Sequence, residues 1–176
     1  PELRAAIAAP LADVSVEDIV VVNAPEEGIY LTMRALLEPG DDVVVLRPSY
    51  DSLANVARHI GAHVHEWPLI ATDVGWELDM ARLGAMLDEL RPALVVVNFP
   101  HNPTGSLPTP DELEEIVSRV TAVGGRLFSD EMYRGLELSG AERLPCATSL
   151  SERVISLAGL SKSYGLPGLR VGWLAI

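Results

Sequence analysis

The stretch Ser156-Leu-Ala-Gly-Leu-Ser-Lys-Ser-Tyr-Gly-Leu-Pro-Gly-Leu-Arg-Val-Gly172 governs the reading of this 176-residue chain. It sets a lone lysine, Lys162, in a loop of small residues between two apolar runs, Val154–Leu157 and Val171–Ile176, with Arg170 eight residues further on. Small neighbours let another molecule come close, and a partly desolvated amine gives up its proton more readily, as a nucleophilic lysine must. On spacing alone, a solvated lysine in a glycine-rich turn fits equally well.

Along the rest of the chain, apolar runs alternate with helical patterns. Strands are expected at Ile19–Val22, Val43–Leu46, Ala62–Trp67, Ala93–Val97, Arg126–Ser129, Val154–Leu157 and Val171–Ile176. A helix should begin near Pro25, since Pro suits a first helical position and Glu26 and Glu27 suit a first turn. Others should run from the Arg47-Pro-Ser-Tyr50 turn to about Ile60, over Asp79–Leu90, and from the capping box Thr109-Pro-Asp-Glu112 to about Val123. Residues 134–150 are turn-rich and read as a short surface excursion. This order predicts an α/β fold, three layers α/β/α, around a mostly parallel seven-stranded sheet. In such sheets the loops at the carboxyl ends of strands line the ligand crevice.

Composition narrows the function. Thirteen Lys and Arg against 25 Asp and Glu give a net charge of −12, opposite to what phosphate tracking on nucleic acid requires. No apolar run has the length of a membrane span and no charged-then-apolar leader opens the chain, so it reads as soluble and cytoplasmic. The single cysteine, Cys146, excludes an internal disulfide and reads as structural or incidental. His63 and His65 share a strand face, but nothing acidic or thiolate is spaced to complete a metal site, so no metal is expected. A start at Pro1 and a stop at Ile176 inside an apolar run suggest one domain of a longer protein.

Gly159-Leu-Ser-Lys162, the glycines at 165, 168 and 172, and Arg170 together resemble the lysine-attachment signature of class I/II aminotransferases, the fold-type I enzymes that depend on pyridoxal 5'-phosphate (PLP). The resemblance extends in the family's order through Pro-x-Tyr50, Asn102-Pro-Thr-Gly105 and Asp130-x-x-Tyr133. It implies a PLP-binding large domain over residues 1–176, with an amino-terminal segment and a small carboxy-terminal domain absent. Lys162 would form the Schiff base and carry the proton at the substrate Cα. Asp130 would face the pyridine nitrogen, Asn102 and Tyr133 the phenolic oxygen, and Tyr50 the ring face. Ala24, Pro25 and Glu26 at a helix start, with Ser161 and Arg170, would hold the phosphate. Taken singly, Asp130 also fits a cap, Asn102 an ordinary turn and Tyr50 a core-packed aromatic.

Two positions depart from the family's usual pattern. Ala24-Pro25-Glu26 stands where Gly-Ala-Ser/Thr-like residues are common, and Gly159 stands where many relatives carry serine. The Glu26 carboxylate is expected to turn away from the phosphate while its N–H donates. The implied reaction moves an amino group between an amino acid and a 2-oxo acid in a homodimer. A carbon–sulfur β-lyase and the sensor domain of an aminotransferase-like transcription regulator remain alternatives.

Overall fold

β-Branched runs bounded by turn residues form the strands, and the sheet they build determines where the loops emerge. The computed structural model describes residues 1–138, 140, 141 and 143–176. Its strands are β1 (Ile19–Val22), β2 (Asp42–Arg47), β3 (His63–Thr72), β4 (Gly75–Leu78), β5 (Leu94–Asn98), β6 (Arg126–Asp130), β7 (Val154–Gly159) and β8 (Gly172–Ala175). The α-helices are α1 (Glu2–Ala8), α2 (Pro25–Leu36), α3 (Ser52–Ile60), α4 (Met80–Leu90) and α5 (Pro110–Ala122). One sheet joins the strands in the order β1-β8-β7-β6-β5-β2-β3-β4. Strands β3, β2, β5, β6 and β7 run parallel, whereas β8 opposes both β7 and β1, and β4 opposes β3.

Among the described residues the sheet therefore has eight strands rather than the seven expected. The additional strand, β4, forms a hairpin with a β3 that continues past Pro68, pairing Leu69 with Leu78 and Thr72 with Gly75. Pro68 is tolerated because it lies where the ladder with β2 ends, opposite Arg47.

Alternation along the parallel strands divides the core between two faces. Val43, Val45, Leu94, Val96 and Phe128 pack with Ile29 and Met33 of α2 and Leu53 and Ala57 of α3. Val44, Leu46, Val95, Val97 and Leu127 pack with Leu83 and Leu87 of α4 and with Leu113, Ile116 and Val120 of α5. Helices thus cover both faces, giving the three layers. A smaller cluster joins Ile7 and Ala8 of α1 to Ile19, Trp173 and Ala175.

Helix ends follow local chemistry. Gly61 closes α3 at φ 99°, a conformation that costs a glycine little. At α5 the expected capping box is formed: Thr109 Oγ1 accepts from Glu112 N at 3.2 Å, and Glu112 Oε2 accepts from Thr109 N at 2.7 Å. Thr109→Ala should cost about 1 kcal/mol, read as a lower urea midpoint with unchanged slope.

The turn-rich region after Tyr133 carries a 3-10 turn at Ala147–Leu150, and Ser139 and Glu142 of that excursion lie outside the described residues. Cys146 is buried there, and burial pushes its thiol up to about 11, which keeps it protonated and inert. His65 Nε2 meets Asp42 Oδ1 at 2.6 Å and His63 Nδ1 lies 3.8 Å from the same oxygen, because the β2–β3 register places Asp42 beside His63. Among the described residues no group of three or more His, Cys, Asp and Glu is arranged to hold a metal, and no helix is long and apolar enough to cross a membrane.

Candidate active site

Loops from the carboxyl ends of β2, β5 and β6, the loop after β7, and the start of α2 converge on one cavity of about 340 Å³. Pro25, Glu26, Tyr50, Asn102, Asp130, Tyr133, Ser161, Lys162 and Arg170 all line it. Ala24, expected beside them, does not. It is buried behind the wall, 5% exposed, and turns the chain from β1 into α2 with φ 79° and ψ 152°.

Lys162 sits in the twelve-residue loop between β7 and β8, which is closed on itself by Leu160 N donating to Val171 O, Leu166 N to Leu160 O and Gly165 N to Lys162 O. The next residue pins this loop to the turn after β6, since Ser163 Oγ donates to Arg134 O at 2.5 Å and approaches Met132 O at 3.3 Å. Lys162 is the only lysine of the chain. Its Nζ lies 5.9 Å from the centroid of the Tyr133 ring, and no carboxylate of the described residues is within ion-pairing distance of it.

Asp130 ends β6 and is buried at 5% exposure. Burial pushes its carboxyl up to about 7, the Met132 N–H at 3.1 Å holds it down somewhat, and the Glu131 and Glu26 carboxylates add to the rise. Its side chain thus lacks a cation on the cavity side. Arg170 leaves the loop in a left-handed conformation at φ 52° and donates from Nη1 to Pro167 O at 2.9 Å.

Glu26 departs from expectation. Its side chain lines the cavity, and its Oε2 accepts from the Tyr50 hydroxyl at 3.3 Å. The phenol supplies a donor that the helix start alone does not offer, so the carboxylate turns in towards the aromatic ring.

Three further residues, one in the cavity wall and two adjacent in sequence to site residues, were not singled out from sequence. Asn98, 1% exposed at the end of β5, donates from Nδ2 to Asp130 O at 2.8 Å and accepts from Asn102 N at 2.8 Å, so one amide sets two site residues. Its signal was an asparagine closing an otherwise wholly apolar strand. His101 is buried with Nδ1 on Thr104 Oγ1 at 2.7 Å, and burial lowers its pKa. Glu131, 5% exposed, accepts from Ala147 N at 2.8 Å and Ser156 Oγ at 2.7 Å and pairs with Arg134 at 3.0 Å. It ties the turn after β6 to β7, and Glu131→Gln should lower stability by about 2 kcal/mol in urea titration, because Arg134 is left facing an uncharged amide.

The donor set fits PLP. A cavity-lining amine meets the need of an aldehyde, and a buried carboxylate without a counter-charge meets that of a protonated ring nitrogen. Asn102, Tyr133, Ser161 and Arg170 offer hydrogen-bond donors to phenolate and phosphate oxygens.

Comparison with known proteins agrees. The profile of the family described as aminotransferase class I and II matches residues 1–176, and the chain belongs to that family. Capreomycidine synthase of Streptomyces vinaceus is 38% identical over 174 residues, covering 99% of this chain and 44% of that protein. Valine–pyruvate aminotransferase of Mycobacterium tuberculosis is 35% identical, covering 100% of this chain and 46% of that one. Among solved structures, a PLP-dependent aminotransferase from Streptococcus suis superposes with a TM-score of 0.90 at 31% identity over 98% of this chain and 45% of its own. The chain thus spans about half the length of the relatives it matches, and its fold is the α/β fold of PLP-dependent aminotransferases.

Proposed function

We propose that this chain is the cofactor-binding large domain of a longer PLP-dependent aminotransferase, which moves an amino group between an amino acid and a 2-oxo acid. The observation that carries the reading is the convergence of Lys162, Asp130, Asn102, Tyr133, Tyr50, Ser161 and Arg170 on one cavity. When bound, PLP supplies an aldehyde for an amine and a ring that accepts the electron pair released at the substrate Cα.

The chain's own residues do the rest. The Lys162 amine would hold the cofactor and, once released, would take the proton from the substrate Cα and deliver it to the former aldehyde carbon on the far side of the nitrogen. The Asp130 carboxylate gains its missing counter-charge from the ring nitrogen and keeps that nitrogen protonated. Asn102 and Tyr133 donate to the phenolic oxygen, while Tyr50 covers the ring face. Ser161, Arg170 and the first turn of α2 carry the phosphate.

The remaining length would hold an amino-terminal segment and a small domain that completes substrate binding. The site would be finished across a homodimer in the cytoplasm. Net charge of −12 argues against nucleic acid as a partner of this segment.

A second reading has one observation behind it: the 38% identical relative is named a synthase, not an aminotransferase. The same large domain would then serve another outcome at Cα or Cβ, as in a β-lyase. A single-turnover assay on the full-length protein separates these. With PLP bound, a panel of amino acids and no acceptor, transamination gives pyridoxamine phosphate and the matching 2-oxo acid. Ammonia with PLP unchanged would indicate elimination, and replacement of the lysine amine by the substrate amine without any product a sensor.

A further inference from the structure

The start of α2 lies against bare backbone. Gly159 and Gly172 face each other across the β7–β8 ladder. A Cβ on Gly159 would stand 2.8 Å from Pro25 Cγ and 3.0 Å from Val171 O; one on Gly172 would stand 2.7 Å from Pro25 N and 2.9 Å from Ala24 C. Under 3.0 Å something must shift, and at 3.0 Å the neighbour must still give by a few tenths of an ångström; the atoms met are the Pro25 ring at Gly159 and mostly backbone at Gly172. The Pro25 ring thus occupies the space that a side chain at position 159 would need. Ala24, buried in a backbone conformation that L-residues rarely adopt, persists only because its surroundings hold it there.

One half of the contact lies in the cavity wall and the other leads into it. Pro25 lines it, and Gly159 opens the loop that presents Ser161 and Lys162 two and three residues later. Any side chain at 159 must push α2 away from the lysine loop or push the loop away from α2. Either movement changes the spacing between the first turn of α2 on one side and Ser161, Lys162 and Arg170 on the other.

We propose that Pro25 and Gly159 form a steric key that sets the distance between the α2 start and the Lys162 loop, so that side-chain volume at the two positions trades off and tunes the grip on the cofactor's phosphate. The proposal rests on the PLP reading above. Neither residue donates to the phosphate, Pro25 having no N–H and Gly159 no side chain. Their part is positioning.

The test compares PLP with pyridoxal, which lacks the phosphate, by spectroscopic titration of the full-length protein. Gly159→Ala should weaken PLP by about tenfold or more while changing pyridoxal little, because only the phosphate spans the altered gap. Adding Pro25→Ala should bring the double variant back to within about threefold of Pro25→Ala alone, a non-additive result. If Gly159→Ala does not fold by itself, a folded double variant supports the key, and a double variant that also fails to fold overturns it. An unchanged PLP-to-pyridoxal ratio in Gly159→Ala, or strictly additive effects, would also overturn it. Loss of the PLP reading itself looks different: the parent protein would then bind neither compound.

Discussion

Lys162→Ala in the full-length protein should lower turnover by about 10⁴-fold or more if, as proposed, one amine both anchors the cofactor and moves the proton. The chain offers no substitute, because Lys162 is its only lysine and stands unpaired at the cavity among the described residues. Adding a small primary amine should restore part of the proton-transfer rate, rising with the amine's concentration. A variant that keeps more than about a tenth of parental turnover would move the chemistry to another group.

Asp130→Asn should separate stability from function. In the cofactor-free protein the Asp130 carboxyl is pushed up to about 7, against 3.8 ordinarily, chiefly by burial. Between those values the folded state holds a proton that the unfolded state has released. The Asp130 contribution to stability therefore falls as pH rises through that window, and its cost is complete above about pH 7. The groups facing this carboxyl, the Met132 N–H and the Glu131 and Glu26 carboxylates, supply no cation to relieve it. The asparagine variant should be more stable than the parent above pH 7, by up to about 4 kcal/mol, and the difference should close as pH falls towards 4. Turnover should fall by about 10³-fold, since an amide cannot keep the ring nitrogen protonated. Chemical denaturation of both cofactor-free proteins across pH 4 to 8 reads the first effect (about four pH units) and steady-state assay the second. A stability difference between variant and parent that does not widen as pH rises over that window would contradict the assignment.

Much of this was legible because the governing signals are local. Gly61 at the end of α3, the Thr109–Glu112 capping box and the valine runs of β2 and β5 each act within a few residues, and each element formed where expected. The lysine loop was legible for a different reason: its glycines, lysine and arginine follow one spacing, and that spacing, which composition does not carry, resembles the family's pattern.

What escaped the sequence depends on partners brought in by the fold. Strand β4 is four residues with an exposed Trp76, and it exists by pairing with the far half of β3. Glu26 reads locally as a first-turn helix acid, but its direction is set by the Tyr50 hydroxyl, 24 residues away. Asn98 and Glu131 take their roles from backbone groups that only the folded sheet places beside them. The contact between Pro25 and Gly159 joins residues 134 positions apart, and the two departures from family pattern proved to be neighbours.

The most direct measurement is to reduce the PLP-loaded full-length protein with borohydride, digest it and locate the attached cofactor by mass. A single phosphopyridoxyl group is expected on the peptide that contains Lys162, and none after Lys162→Ala. Attachment at a residue outside this chain, or PLP that binds without becoming attached at Lys162, would contradict it.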